Sequence, residues 1–278
     1  MTAFVHNASG AYAAAVAVRL NLSELSQRGG IGVSWFSDTI SGITPTAGIQ
    51  NLMSTMYFAE HKDTATLRVF AWPETGSSYS WVDVPHHSYI QGPGQCSGPD
   101  GTNMCGYEDG AIKGGWSANG VLGFMWDSAQ GQDRLGNFAY PYTDVVEINQ
   151  SSMALIDEPV IYNPSYAFWF SSVAANNRGG LGLSIAYGGG SNNPSAAIGV
   201  RDDISPNGFQ LVAVGVGTNG PGTNRWGDYL TVRPASGSSN TWIAADYTLQ
   251  GPCPGNNCAN VQPLFQWFGR QRDQTPTP

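Results

Sequence analysis

The chain has 278 residues, enough for one large β domain or two smaller ones, with 12 basic and 20 acidic side chains and a formal net charge of −8. Only Lys62 and Lys113 are lysines and the arginines are spread along the chain. No basic stripe is left for a phosphate backbone or an anionic lipid surface, and no apolar run is long enough to span a bilayer. Charged residues make up 12%, about half the usual quarter, while 36 glycines and 9 tryptophans demand many turns and many buried rings, the profile of a strand-rich chain and not of a helical bundle.

In chain order, "AYAAAVAV" (11–18) has the look of an apolar signal core but no basic segment before it. Val16, Val18, Leu20 and Leu22 alternate with Ala17, Arg19, Asn21 and Ser23, which predicts a strand with the large apolar groups on one face. Any export signal is therefore expected to have been removed or to lie outside this chain. Five later segments share one plan, a polar or Gly-rich turn followed by a short apolar run: "QRGGIGVSWFSD", "DTATLRVFAWPE", "SANGVLGFMWDSA", "NRGGLGLSIAYGG" and "TNRWGDYLTVRPA". Aligning Ile31, Leu67, Leu122, Leu181 and Asp228 gives intervals of 36, 55, 59 and 47 residues, which bracket the ~40–50 residues of a four-stranded propeller blade. Further strand-like runs fall between these anchors. The pattern predicts an all-β chain, a single β-propeller over 1–270 with five blades or part of a larger propeller, and a Pro-rich tail or linker over 271–278. A β-sandwich or jelly roll is the alternative.

Four cysteines form two tight local pairs in turn-rich segments, Cys96 with Cys105 and Cys253 with Cys258. Two disulfide clips and an oxidising compartment follow, so the chain is expected to be secreted or at a cell surface.

The segments "MYFAEHKDTATLRVFAWPE", "NRGGLGLSIAYGG" and "NRWGDYLTVRP" resemble those of secreted bacterial β-propeller proteins, mostly without an assigned activity, over about residues 30 to 250. The resemblance implies a fold and an exported location but no reaction. The S-x-D-x-G-x-x-W boxes of sialidase-like propellers are missing, which argues against that activity.

Candidate chemistry rests on carboxylates and aromatics. Glycoside hydrolysis needs one protonated and one ionised carboxyl facing each other, and the acids nominated for it are Asp144, Asp127, Asp202 and Glu158. Each has a plainer reading as a turn residue or an arginine partner. In "YPYTDVVEI" the two-residue period puts Tyr140, Tyr142 and Asp144 on one face. These tyrosines, with Trp126, are the candidate sugar-binding aromatics. "RDDISPNG" sets Asp203, Ser205 and Asn207 at alternate positions before a glycine. An Asx-type turn is the simpler account and structural calcium the alternative, with no cofactor otherwise required. His86 and His87 are adjacent, and on a strand adjacent side chains point to opposite faces, so one metal site would rarely use both. The expected function is an extracellular β protein that engages carbohydrate, with hydrolysis through channel-facing carboxylates as its catalytic form. The alternative is a non-enzymatic surface, adhesion or assembly module with a protein partner or self-association.

Overall fold

The computed structural model describes residues 2–20, 22–27, 29–38, 49, 54–107, 110–222, 226–238, 240–251 and 260–273. The chain is all-β, built from antiparallel sheets of consecutive strands. Sheet I joins β1 (Thr2–His6), β2 (Tyr12–Leu20) and β3 (Val33–Asp38), with a short helix, α1 (Leu22–Leu25), between β2 and β3. Sheet II joins β4 (Thr55–Asp63), β5 (Thr66–Pro73) and β6 (Ser80–Pro85). Sheet III is formed by β7 (Ile112–Ala118), β8 (Val121–Ser128) and β11 (Tyr142–Asn149), edged by β12 (Leu155–Asp157) and β13 (Val160–Ile161). A small ribbon of β9 (Gly131–Gln132) and β10 (Asn137–Phe138) is inserted between β8 and β11. Sheet IV holds β14 (Ala167–Ala175), β15 (Leu181–Gly189), β16 (Asn192–Arg201) and β17 (Gln210–Gly215), and sheet V holds β18 (Thr231–Pro234), β19 (Trp242–Gln250) and β20 (Asn260–Phe268).

The second strands of the five sheets begin at Tyr12, Thr66, Val121, Leu181 and Trp242, at intervals of 54, 55, 60 and 61 residues. Leu67, Leu122 and Leu181 therefore do mark equivalent places, whereas Ile31 precedes a third strand and Asp228 a first one. The turns opening these second strands use Asn or Gly except in sheet II, where Asp63 Oδ1 accepts the Ala65 N–H at 2.8 Å. In "NASGA" and "NNRGG" the side-chain oxygens of Asn7 and Asn176 accept the backbone N–H groups two and four residues on, and the turn is closed by the same pair of backbone bonds. Between β7 and β8, Asn119 and Gly120 both take positive φ, 52° and 76°, as a tight hairpin turn requires.

The sheets stack face to face in chain order. Phe58, Phe70 and Trp72 of sheet II pack on Ala17 and Phe36 of sheet I. Leu67 and Val69 meet Leu122, Phe124, Trp126, Val146 and Ile148 of sheet III. The other face of sheet III, with Trp116, Met125 and Val145, meets Val173, Leu183 and Ile185 of sheet IV, whose far face meets Val232, Trp242 and Ala244 of sheet V. Gly123 makes one of these seams possible, because a Cβ there would lie 2.0 Å from the Trp116 ring. In sheet I the predicted alternation holds for Val16, Val18 and Leu20, but the small Ala17 is the residue that packs on sheet II and the large groups turn outward; Leu22 begins α1.

Strand direction divides the stack. Arg19, at the end of β2, donates to Pro73 O at the end of β5 at 2.6 Å, so sheets I and II share one sense. Asn119 donates to Arg178 O at 3.5 Å and Asn176 to Asn240 O at 3.1 Å, turn to turn, so sheets III, IV and V share another. Between sheets II and III the sense reverses: Thr55, starting β4, lies beside Ala118, ending β7, while His61 near the end of β4 packs on Trp126, the register partner of Ile112 at the start of β7. Sheet I also has three strands and keeps the sense of sheet II, so strand number alone does not set the sense; at sheet II it sets where the chain leaves. Sheet II has three strands, so β6 ends where β4 ended and delivers the chain to the start of β7. Sheet IV has four and returns the chain to the end at which it began.

The connection from β6 to β7 carries the Cys96–Cys105 disulfide, which is buried with Met104 against Trp169, Ala186 and Trp226. Cys253 and Cys258 lie outside the described residues. Trp226 of "RWGDY" is buried as a packing group, but Tyr229 is 79% exposed. The expected tail begins later than residue 271, since Gln271–Asp273 form a 3-10 turn whose Asp273 is buried and pairs with Arg178 at 2.8 Å.

Candidate functional site

At the end of the II–III interface where β4 and β6 finish, the apolar layer gives way to a polar cluster. His61 comes from β4, Trp126 from β8, Asp144 from β11 and Glu158 from the β12–β13 link. His86 and His87 follow β6 directly. Because β6 stops at Pro85, the pair is not bound by strand alternation. Both rings are buried, with centroids 6.0 Å apart and planes at 86°, which corrects the expectation that they point to opposite faces.

His87 is the hub. Its Nε2 lies 3.0 Å from Asp144 Oδ1 and its Nδ1 3.0 Å from Glu158 Oε1, which also accepts the His87 backbone N–H. The other Glu158 oxygen accepts from Arg134 at 2.5 Å. Burial opposes charge on His87, but Asp144 and then Glu158 outweigh it and raise its pKa. Burial raises the pKa of Asp144 against the pull of His87, and these two directions describe one proton shared between the groups. Glu158, although desolvated, is lowered by the His87 N–H groups and Arg134.

The neighbouring imidazoles differ. Burial, then the proximity of His86, lowers His61 to about 3, and burial followed by His87 lowers His86 to about 4. Neither ring nitrogen of either residue makes a hydrogen bond of good geometry among the described residues. His61 instead sits edge-on to Trp126 and 4.7 Å from Tyr89, ring centre to ring centre.

The nominated acids are dispersed. Asp144 and Glu158 are brought together, but on opposite nitrogens of one imidazole and not across an open cleft. Asp127 faces sheet IV, where its Oδ1 accepts the Phe170 N–H at 3.0 Å and fixes a bulge at which Phe170 takes φ 51°. Asp202 is held by Arg270 through both oxygens at 2.8 Å, which lowers it to about 2. Tyr142 and Trp126 are buried; Tyr142 donates to Asp133, and burial followed by the charge of Asp144 raises its pKa. Tyr140 does not share its face: Pro141 intervenes, β11 starts at Tyr142, and Tyr140 packs in the Trp169–Trp226 cluster. In the candidate calcium loop Arg272 pairs with Asp203 and Arg270 donates to Ser205 Oγ. Asp202 Oδ1 accepts the N–H groups of Ile204 and Ser205, an Asx turn, and Asn207 follows it.

Sequence reasoning missed one opening altogether. A cleft of about 470 Å³ between sheets III and IV is lined by Asn119, Glu147, Asn176, Arg178, Arg201 and Asp203, among others. It adjoins a second hollow of about 400 Å³ that shares Asn119 and Asn176. Glu147 on β11 pairs with Arg201 on β16 through both carboxylate oxygens, a bond across the two sheets. The repeated turn asparagines were the available signal. No family model matches the chain, and no curated protein or solved structure matches it.

Proposed function

We propose that this chain is an exported β-sheet module that holds a polar ligand, a carbohydrate, in the cleft between sheets III and IV without hydrolysing it. The observation that carries the reading is the cleft wall: turn amides and guanidinium groups sit beside carboxylates already committed to arginines, a fixed hydrogen-bonding surface. The same pairing disfavours the hydrolytic form. A general acid must hold its proton near neutral pH, and Asp202, lowered to about 2 chiefly by Arg270, does not. The Cys96–Cys105 disulfide supports export. A regular propeller would set first strands in one sense around an axis, and the reversal between sheets II and III favours an open stack over that form.

A glycan array probed with the wild-type chain and with Arg178→Ala tests the reading. Binding to a discrete glycan class, weakened about tenfold or more by the substitution, with no product from the same glycans in a digestion assay, is the expected result. Released sugar, or no binding across the array, would sink it. A second reading, an adhesion or assembly module, is favoured by the outer faces of the terminal sheets, where Val33 and Trp35 of sheet I and Ile243, Phe265 and Trp267 of sheet V are exposed. Its mark is a concentration-dependent oligomer on a sizing column.

A further inference from the structure

We infer that His86, His87 and Glu158 form a binding site for a borderline divalent transition metal ion, with zinc the reference member of the class. One potential ligand atom from each residue lies within 4.8 Å of the other two. Metal ligation brings such atoms to about 2.0–2.2 Å from one ion, so the side chains must close in by rotation, since the backbone is held by the His86 N–H bond to Ala65 O at 2.9 Å and the Tyr89 N–H bond to Thr64 O at 3.1 Å.

The polar atoms around the cluster point to a cation. His86 is 9% exposed, neither ring nitrogen makes a hydrogen bond of good geometry among the described residues, and the His87 backbone can serve only one of them, a costly state for a buried imidazole unless something accepts the lone pair of the other. On His87, Nδ1 faces Glu158 Oε1 at 3.0 Å while Nε2 faces the fully buried Asp144 at 3.0 Å. An ion taking the place of the proton between Nδ1 and Glu158 leaves Nε2–H to donate to Asp144. That is the carboxylate–imidazole–metal arrangement, which fixes the tautomer and raises ligand basicity. Arg134 holds the second oxygen of Glu158 and so orients the carboxylate. Two imidazoles and one carboxylate favour zinc and its neighbours over calcium or magnesium, which take oxygen ligands. His61, with its ring centre 6.0 Å from that of His86, backs the site. Asp144 is thus a positioning residue and His86 a ligand.

The site lies at the other end of sheet III from the carbohydrate cleft and on its opposite face, so either assignment can fail alone. Metal-free full-length chain is titrated with zinc chloride by calorimetry and with cobalt chloride by visible absorption. The expected result is one equivalent bound per chain, with ligand-field bands for cobalt, a tenfold or greater loss of affinity in His86→Gln and Glu158→Gln, a ten- to hundredfold loss in Asp144→Asn, and no change in His6→Gln. Failure of the wild type to take up one equivalent, or affinity unchanged by both His86→Gln and Glu158→Gln, overturns the site. Should a ligand variant fail to fold, the wild-type cobalt spectrum decides: saturation at one equivalent with histidine-type bands supports the site, and a spectrum of hexaaqua cobalt rejects it.

Discussion

The interface between sheets II and III and that between sheets III and IV share sheet III and a similar apolar filling, yet they treat polar groups differently. In the III–IV interface Glu147 meets Arg201 through two bonds and Asp127 accepts a backbone N–H. In the II–III interface the ring nitrogens of His61 and His86 make no hydrogen bond of good geometry among the described residues, and Asp144 has His87 and the Ser128 hydroxyl to offset its burial. Packing two sheets requires apolar complementarity and polar groups satisfied within the seam. The III–IV interface pairs its charged groups within the seam, although Thr143 Oγ1 and Ser171 Oγ there make no hydrogen bond among the described residues, whereas the II–III interface leaves whole imidazoles for something else to satisfy.

The largest effect should not tell the two interfaces apart. Phe124→Ala on the face of sheet III toward sheet II and Leu183→Ala on the face of sheet IV toward sheet III each remove a fully buried side chain, and each should cost about 3–5 kcal/mol in urea unfolding. A clear inequality would mean that one seam is loosely packed. Next in size is sheet V. Burial, partly offset by Ser184, raises Asp246 to about 6, above its ordinary 3.8. The fold therefore favours the protonated form, and stability should fall as pH rises from about 4 through 6, by an amount on the order of 3 kcal/mol if the full shift is realised. Asp246→Asn should flatten that slope; an unchanged slope would refute the assignment. Replacing Cys96 and Cys105 together with serine opens a loop with a sequence separation of 9 residues and should cost about 2–3 kcal/mol, read as a lower unfolding midpoint.

The sharpest test of the comparison is smaller. His61→Phe puts an apolar ring of similar shape in place of an imidazole whose one hydrogen-bonding neighbour among the described residues, the Gly110 backbone, is poorly placed, and in metal-free protein it should leave stability unchanged or raise it by about 1 kcal/mol; a large loss would show that the Gly110 contact is essential to the seam. Smallest of all, Asp203→Asn removes an exposed partner of Arg272 and should fall within the scatter of the measurement.

Much of the fold was legible because it is local. Alternation marked the strands, and an apolar residue just after a polar or Gly-rich turn located Leu67, Leu122 and Leu181 at the heads of second strands. The short spacing of Cys96 and Cys105 was enough to pair them. The site was not legible, because its geometry is set between sheets. Asp144 and Glu158 were nominated as acids, but nothing in their own segments reveals the imidazole between them. Nothing in the sequence shows that the register ends at Pro85, so adjacency alone suggests opposite faces for His86 and His87. Tyr140 and Tyr142 share a period, but Pro141 keeps the ladder from extending back to include both.

The odd strand number of sheet II has a consequence for how this chain could change over time. With three strands, the residues leaving β6 arrive at the Trp126 end of sheet III, which is how His87 reaches Asp144. A fourth strand inserted after β6 would deliver the same residues to the Val121 end, roughly the length of an eight-residue strand away at about 3.3 Å per residue. Point substitutions would erode the histidine cluster one contact at a time, but the gain or loss of a single strand would abolish it at once with every one of its residues intact. The cluster is thus inherited through the count of strands as much as through the identity of its side chains.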